Sequence, residues 1–376
     1  MRQSRNSDAW LSINISPRIR TVLLTTRPVD EEVFASLGYL SEVRDAGLDY
    51  IKGFGHSNSK EVFLLFQSFI RQAKTFYESA SHLKFRASAL IYYYSFLNLA
   101  KAYICLLDPA FVSSRVTHGL RFAYKPGKLS SQFVINENSG VFNKFYQLVT
   151  GQKIPPKTKI NIARVLGYCT DIVHEYTNAG YGKQRVAPAS IRLLSNMRQK
   201  ISWPILAVQN FGTLSPYKKS LINFGNYYEQ VEPDRYAVRE AFEIYTESLS
   251  NYSFFESKKT YAWEVGDLTP VGLMKKDCFT VLQNLYETNV YNEKEEMFLN
   301  APIRKNLQIP FCQMLAIYTA MFYLGSLVRY RPDYLEKLLD SKDAWIVERF
   351  TYSAPSTFLR SISNLILQKD YVYTAR

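Results

Sequence analysis

One unbroken apolar helix constrains the fold of this chain more than any other feature. Residues 87–107 contain neither proline nor glycine, and apolar or aromatic side chains lie on every face of the helix that they predict. A helix that is apolar all round is buried inside a protein. Pro109 cannot continue the helix and disfavours helical geometry in the residue before it, so we expect the helix to end near Asp108.

Two strongly polar residues, Asn98 and Lys101, interrupt this apolar helix. Their spacing of three places them on one face. A buried amide without a hydrogen-bonding partner costs roughly 1–3 kcal/mol, and an unpaired ammonium costs more unless it finds a carboxylate or loses its proton. The pair is therefore expected either to find partners within the fold or to line a cleft.

Other helices are predicted before and after this one. Apolar residues at helical spacing predict a helix over 61–81, which a short turn joins to the apolar helix as an antiparallel hairpin. Two shorter helices are predicted in the middle of the chain, over 157–177 and 190–199. The final third is expected to be helical over 309–330, 333–340, 343–350 and 355–368.

These elements predict a mainly α fold. We expect a helical bundle with an N-terminal antiparallel helical hairpin, an irregular basic middle with a few short strands, and a C-terminal helical half. The expected division is an N-terminal extension (1–55), a helical core with the basic region (56–200), a mixed connecting region (201–270) and a C-terminal helical region (271–376). The last is expected to pack on the core in a single compact unit.

Two blocks of the sequence resemble the YaaC-like family of bacterial proteins. The first joins a YYxFLNLAKAY helix, Pro109 and the tripeptide His118-Gly119-Leu120. The second covers residues 315–338, where a hydrophobic helix enters the element Arg329-Tyr330-Arg331-Pro332. The resemblance implies no particular reaction. The helical core also resembles HEPN-type bundles, which occur in many prokaryotic RNases and defence proteins, and this likeness concerns the fold alone.

The positive charge of the chain is concentrated in one segment. Its net charge is +13, and residues 115–220 contain 16 Lys and Arg but three acidic residues, so this segment holds the whole excess. A localised positive field is typical of proteins that bind nucleic acid, and it also suits an acidic protein or membrane surface. The alternative is a solvated basic face that serves solubility alone.

The predicted anion-binding site combines the polar helix face with the loop that follows it. Its members are Asn98, Lys101, Arg115, His118 and Arg121, with Arg329 and Arg331 as a second contact. Ammonium, guanidinium, imidazole and amide donors suit anionic oxygens. In the alternative interpretation, Asn98 caps backbone groups, Lys101 pairs with a carboxylate, His118 holds the loop and the two later arginines complement a helix end.

Aromatic residues near the basic segment have two interpretations. They are Phe122, Tyr124, Phe133, Phe142, Phe145 and Tyr146. Such side chains can stack on the bases of a single strand. Because Phe, Trp and Tyr make up 15% of this chain, core packing is the default expectation.

Signals for catalysis are weak. A HEPN-type ribonuclease needs an arginine four to six residues before a histidine on the same helix, and none of the four histidines has one there. Phosphate-binding glycine loops and metal-ligand spacings are absent from the sequence, so we expect no cofactor and no metal site. The candidate catalytic residues are His118 and Lys101, because a histidine can transfer protons near neutral pH.

The sequence therefore favours a non-catalytic binding component that engages nucleic acid (RNA or DNA) or another anionic partner in a bacterial defence or nucleic-acid-processing system. The alternatives are a HEPN-like nuclease with a non-sequential site and a scaffold that uses its basic face to meet an acidic protein. The N-terminus lacks a signal-peptide pattern, and the uncharged stretch 309–328 is expected to pack in a core, so we predict a cytoplasmic protein without a membrane partner. A homo-oligomer or multi-protein complex is compatible with these features.

Overall fold

In the computed structural model, the protein forms two compact units. The structure describes residues 10–14, 20–25, 27–124, 128–196, 198–209, 227–231, 251–262, 286–291, 294–303 and 309–375. The first unit comprises residues 1–19 and 185–310, and the second comprises 20–184 and 311–376. The predicted division into consecutive segments does not coincide with these units, because each unit combines stretches that are distant in the sequence.

The second unit contains the helices whose full bounds lie within the described residues. In chain order they are α1 (Val29–Glu42), α2 (Arg44–Lys52), α3 (Ser59–Ser81), α4 (Phe85–Leu107), α5 (Pro109–Ser113), α6 (Val141–Thr150), α7 (Ile162–Leu166), α8 (Val173–Asn178), α9 (Gln313–Tyr330), α10 (Pro332–Leu339) and α11 (Ala344–Leu367). Pro355 lies inside α11, so the two helices predicted over 343–350 and 355–368 are one continuous helix. Its burial there shows that packing outweighs the lost backbone hydrogen bond.

Helix α4 lies at the centre of the second unit and packs against α3, α9 and α11. The Ser95 hydroxyl donates to the Ala73 carbonyl at 2.8 Å, and the ring of Phe96 stacks on that of Phe358 with centroids 4.1 Å apart. Gly325 lets α9 approach closely, since a Cβ there would lie 3.1 Å from the Cα of Leu90. The predicted apolar helix is therefore enclosed by three other helices.

Two small sheets also belong to the second unit. The strands β3 (Leu120–Ala123), β4 (Phe133–Asn136) and β5 (Lys159–Asn161) form an antiparallel sheet. The strands β2 (Arg20–Thr25) and β13 (Asp370–Ala375) pair in parallel. The helix predicted over 157–177 is wrong, because β4 recruits residues 159–161 as a strand and the rest breaks into α7, a short 3₁₀ turn and α8.

The first unit contains an antiparallel sheet of eight described strands. They are β1 (Trp10–Asn14), β6 (Val186–Asn196), β7 (Ile201–Gln209), β8 (Tyr228–Val231), β9 (Tyr252–Ser257), β10 (Tyr261–Ala262), β11 (Tyr286–Tyr291) and β12 (Lys294–Asn300). The order is β11-β12-β6-β7-β9-β8, with β1 on β6 and β10 on β7.

The helix predicted over 190–199 is wrong, because most of these residues belong to strand β6. This strand pairs with β1, β7 and β12, and Leu194 joins a core with Ile205 and Phe254. Partners far away in the sequence decide this conformation, and local spacing does not reveal them. The fold is mainly helical as predicted, with antiparallel sheets added. Expectations for 210–226, 232–250 and 263–285 lie outside the described residues.

Among the described residues, one helix is long and apolar enough to cross a membrane. It is α4, and 67% of its most apolar window is buried inside the protein. A buried core helix passes the same test of length and composition.

Candidate functional site

One face of α4 carries three polar side chains. Tyr94, Asn98 and Lys101 follow each other at spacings of four and three, so they lie in one row along the helix. Asn98 is 5% exposed, and its amide nitrogen donates to the Tyr94 carbonyl at 2.9 Å. This bond matches the alternative in which Asn98 caps backbone groups.

Lys101 has an aromatic neighbour in place of a carboxylate. Its Nζ atom lies 5.7 Å from the ring centroid of Phe69, and no carboxylate of a described residue forms an ion pair with it. Burial lowers the pKa of the Lys101 ammonium from its usual value. A partly desolvated cation without a countercharge favours an anion that enters from solution.

The loop after α5 is fixed by a contact between two glycine backbones. Gly119 has φ +81° and Gly140 has φ +140°, and a Cβ on Gly140 would lie 2.4 Å from both the N and the Cα of Gly119. The amide of Phe142 donates to the His118 carbonyl at 3.0 Å, which ties the loop to the start of α6. Backbone groups therefore position His118, and they leave its ring available for other contacts.

The His118 ring points back to α4. Its Nδ1 atom lies 2.9 Å from the Tyr93 hydroxyl, and its centroid lies 6.4 Å from that of Phe322 on α9. Burial, followed by the charges of Lys101 and Arg329, lowers the pKa of the imidazole. Its surroundings therefore favour the neutral form of the ring.

Arg329 completes the arrangement from the last turn of α9. It is exposed, its Nη1 donates to the Tyr94 hydroxyl at 3.0 Å, and its guanidinium lies 5.1 Å from the Tyr330 centroid. We call Lys101, His118 and Arg329 the cationic cluster, after the two cations whose charges act on the His118 imidazole. None of the acidic side chains in the described part of the chain forms an ion pair with a member of it.

The other predicted anion contacts are arranged differently. The guanidinium of Arg121 forms an ion pair with Glu137 at 2.7 Å, and that of Arg331 forms one with Asp333 at 2.8 Å. Arg331 also lies over the ring of Tyr124 at 3.8 Å. Arg115 is exposed and has no side-chain partner among the described residues. Of the seven predicted residues, Lys101, His118 and Arg329 form the cluster, and Asn98 lies beside Lys101 on the same helix.

Sequence reasoning missed the two tyrosine hydroxyls that organise the cluster. Tyr93 bonds the His118 ring and Tyr94 bonds Arg329. Both residues were counted as part of the apolar surface of the helix. The available signal was the position of Tyr94, one turn before Asn98 on the polar face.

No group of three or more His, Cys, Asp or Glu side chains in the described ranges could hold a metal ion. The cluster itself offers cationic donors and one imidazole, which suit anionic oxygens rather than a metal cation.

A titration of His118 tests the electrostatics of the cluster. We expect its ring to titrate below the ordinary histidine value of about 6.5. Lys101→Met should raise this pKa part of the way back, because a neighbouring positive charge disappears while burial remains. NMR of the ring protons measures both values. In the control Lys84→Met the pKa should not change, because the neighbouring charges that act on the imidazole are those of Lys101 and Arg329. A pKa above 6.5 in the unaltered protein would contradict the argument.

The fold and the cluster define a mainly helical protein in which Lys101 of the central helix and Arg329 of α9 form no ion pair with a described carboxylate. This chain belongs to the YaaC-like family, since the family model described as YaaC-like Protein matches residues 51–366. The resemblance seen in two sequence blocks is thereby confirmed over most of the chain. Neither a curated protein nor a solved structure matches it.

Proposed function

We propose that this protein is a non-catalytic binding component that engages nucleic acid. The observation that carries the proposal is the cationic cluster of Lys101, His118 and Arg329, which has no carboxylate partner among the described residues. Phosphodiester oxygens accept hydrogen bonds from ammonium and guanidinium groups, and they supply the negative charge that the cluster lacks.

The distribution of the remaining charge supports this proposal. The lysines and arginines between residues 128 and 183 are mostly exposed, and the second unit presents them to solvent. The exposed ones are Lys128, Lys153, Lys157, Lys159, Arg164 and Lys183. A field of this sign attracts polyanions over distances of about one Debye length, roughly 10 Å at 0.1 M salt.

Binding is favoured over cleavage by the surroundings of His118. A general base in a nuclease is commonly oriented by a carboxylate, whereas His118 contacts the Tyr93 hydroxyl. The alternative is a HEPN-like nuclease with a non-sequential site, and the lowered pKa of His118 favours it because a neutral imidazole can accept a proton. A scaffold for an acidic protein remains the third candidate.

The wider setting that we propose is a bacterial defence or nucleic-acid-processing system in the cytoplasm. It rests only on the likeness of the helical core to HEPN-type bundles.

One experiment separates the three candidates. Labelled single- and double-stranded RNA and DNA are titrated with the protein at about 50 mM and about 200 mM salt, and the same samples are then examined for cleavage. We expect intact nucleic acid and an affinity that falls on the order of tenfold between the two conditions, because counterions are released on binding.

The other outcomes identify the alternatives. Cleavage that disappears in His118→Gln would replace binding by the nuclease function. Binding of polyglutamate without any binding of nucleic acid would identify the scaffold.

A further inference from the structure

An open groove lies beside the β3–β4–β5 sheet of the second unit. Its volume is about 440 Å³, within the roughly 300–1,000 Å³ of small-ligand sites. The lining residues that matter here are Ser130, Phe133, Lys159, Asn161, Arg164 and Tyr181. Of the described acidic side chains, none lines the groove, so its two cations give it a positive character.

The register of the sheet places an aromatic ring and a cation on its outer face. Val134 and Ile160, which are paired, are completely buried, so their side chains lie on the inner face. Phe133 and Lys159 are offset from them by one residue, and they therefore lie on the other face. Phe133 is partly exposed and Lys159 is exposed.

Phe133 lines the groove, and a cation lies over the electron-rich face of its ring. The Nζ atom of Lys159 lies over that face, 5.2 Å from the centroid. A cation–π contact at an exposed site is weak, about 0.5–1 kcal/mol. A phosphate carries a full negative charge and is therefore a stronger partner for the ammonium than the ring is.

The walls of the groove are held by hydrogen bonds. The Asn161 amide nitrogen donates to the Ser130 carbonyl at 2.7 Å, while its oxygen accepts from the backbone amide of Arg164 at 3.0 Å. The Tyr181 hydroxyl donates to Asp343 at 2.6 Å. A site that is already formed loses little entropy when a ligand binds.

The remaining aromatics of the basic segment are engaged elsewhere. Phe142, Phe145 and Tyr146 are completely buried, so they belong to the core. Phe122 packs on Tyr323, and Arg331 covers Tyr124. Of the six aromatics named from the sequence, Phe133 is the one that lines the groove.

We propose that this groove holds an unstacked base of a single-stranded nucleic acid. The base stacks on Phe133, and Lys159 and Arg164 contact the flanking phosphates. Bases of a duplex are stacked on each other and cannot lie flat on a protein ring, whereas aromatic residues on a sheet surface hold single strands in this way. The inference rests on the proposed function and gives it a substrate class.

The test compares two phenylalanines that each have a lysine over the ring, one inside the groove and one outside it. Phe133→Leu should lower the affinity for a single strand of about 12 nucleotides on the order of tenfold, because a leucine cannot stack on a base. The affinity for a duplex and the salt dependence should not change. The control is Phe111→Leu, since a lysine also lies over Phe111, with Lys144 Nζ 5.8 Å from its ring centroid, and Phe111 lies outside the groove.

The contribution of Lys159 and Arg164 can be measured separately from the salt dependence of binding. Lys159→Gln together with Arg164→Gln should reduce the slope of log affinity against log salt by about 1.4, since each phosphate contact on a single strand contributes about 0.7. Both residues are exposed, so folding should be unaffected.

A measurement on the unaltered protein keeps the proposal testable if Phe133→Leu fails to fold. A single strand containing 5-bromouracil is irradiated in the complex, and mass spectrometry should locate the crosslink on the Phe133 peptide. Crosslinks only elsewhere would overturn the proposal.

Failure of the inference and failure of the function give different results. If Phe133→Leu and Phe111→Leu bind a single strand equally well and with the same salt dependence, the groove is not the binding site. The proposed function would still stand. Equal losses for duplex and single strand in Phe133→Leu would contradict the substrate class. No binding of any nucleic acid, with or without capture of polyglutamate, would end both.

Discussion

Replacing Gly140 by alanine is expected to destabilise the second unit by about 3 kcal/mol or more. A Cβ at this position would lie 2.4 Å from the N and Cα of Gly119, and these backbone atoms cannot move like the end of a flexible side chain. Gly140 also has φ +140°, a conformation that L-residues rarely adopt. Denaturant unfolding followed by circular dichroism measures the change.

Gly55 provides the matched control for this prediction. It has φ +79°, and a Cβ there would meet nothing within 4 Å. Gly55→Ala should therefore cost only the backbone strain of a left-handed residue, about 1–2 kcal/mol. Equal losses of stability in the two variants would show that the contact between Gly119 and Gly140 does not determine the loop.

The same contact connects stability with the site. The loop that carries His118 is held by hydrogen bonds to the backbone at residues 137, 141 and 142. If alanine separates the two glycines, the imidazole should lose its bond to the Tyr93 hydroxyl, and the His118 ring signals should shift. The glycine of the His-Gly-Leu tripeptide thus has a backbone role, while the histidine has a side-chain role.

The central helix could be predicted because its signals are local. Residues 87–107 lack breakers and Pro109 ends the run, and the structure has the helix at Phe85–Leu107. The sheet of the first unit could not be predicted in this way. Its strand Val186–Asn196 pairs with Trp10–Asn14 and Lys294–Asn300. A local sequence pattern does not indicate partners so far away in the chain.

Some residues of the candidate site could likewise be grouped from local signals, and others could not. Lys101 and His118 are 17 residues apart, so their proximity followed from a helix and the loop after it. Arg329 was named separately, and only the packing of α9 on α4 places it near them. Gly325 makes that close packing possible, yet a glycine within an apolar run gives no indication of which helix it will meet.

Removing two charges from the cationic cluster is expected to have the largest effect on binding. Lys101→Met combined with Arg329→Gln should lower the affinity for nucleic acid on the order of a hundredfold at low salt, from about 1.5 kcal/mol for each charged hydrogen bond. On a single strand, the slope of log affinity against log salt should fall by about 1.4. Fluorescence anisotropy at several salt concentrations measures both quantities.

The double variant should remain folded, and this makes its loss of binding interpretable. Methionine keeps an unbranched side chain at position 101 and removes a charge that burial disfavours, so thermal stability should stay equal or rise. Arg329 is exposed, and its replacement loses one hydrogen bond to Tyr94.

A second double variant separates a local site from total charge. Arg44→Gln with Lys84→Met also removes one arginine charge and one lysine charge, but from exposed positions outside the cluster. If the cluster is the site, this control should keep most of the affinity and most of the salt slope. If both variants weaken binding equally, the positive field acts as a whole and α4 contributes no specific contact. Lys84 immediately precedes the helix that carries Lys101, so the comparison tests where along this helix the lost charge lies.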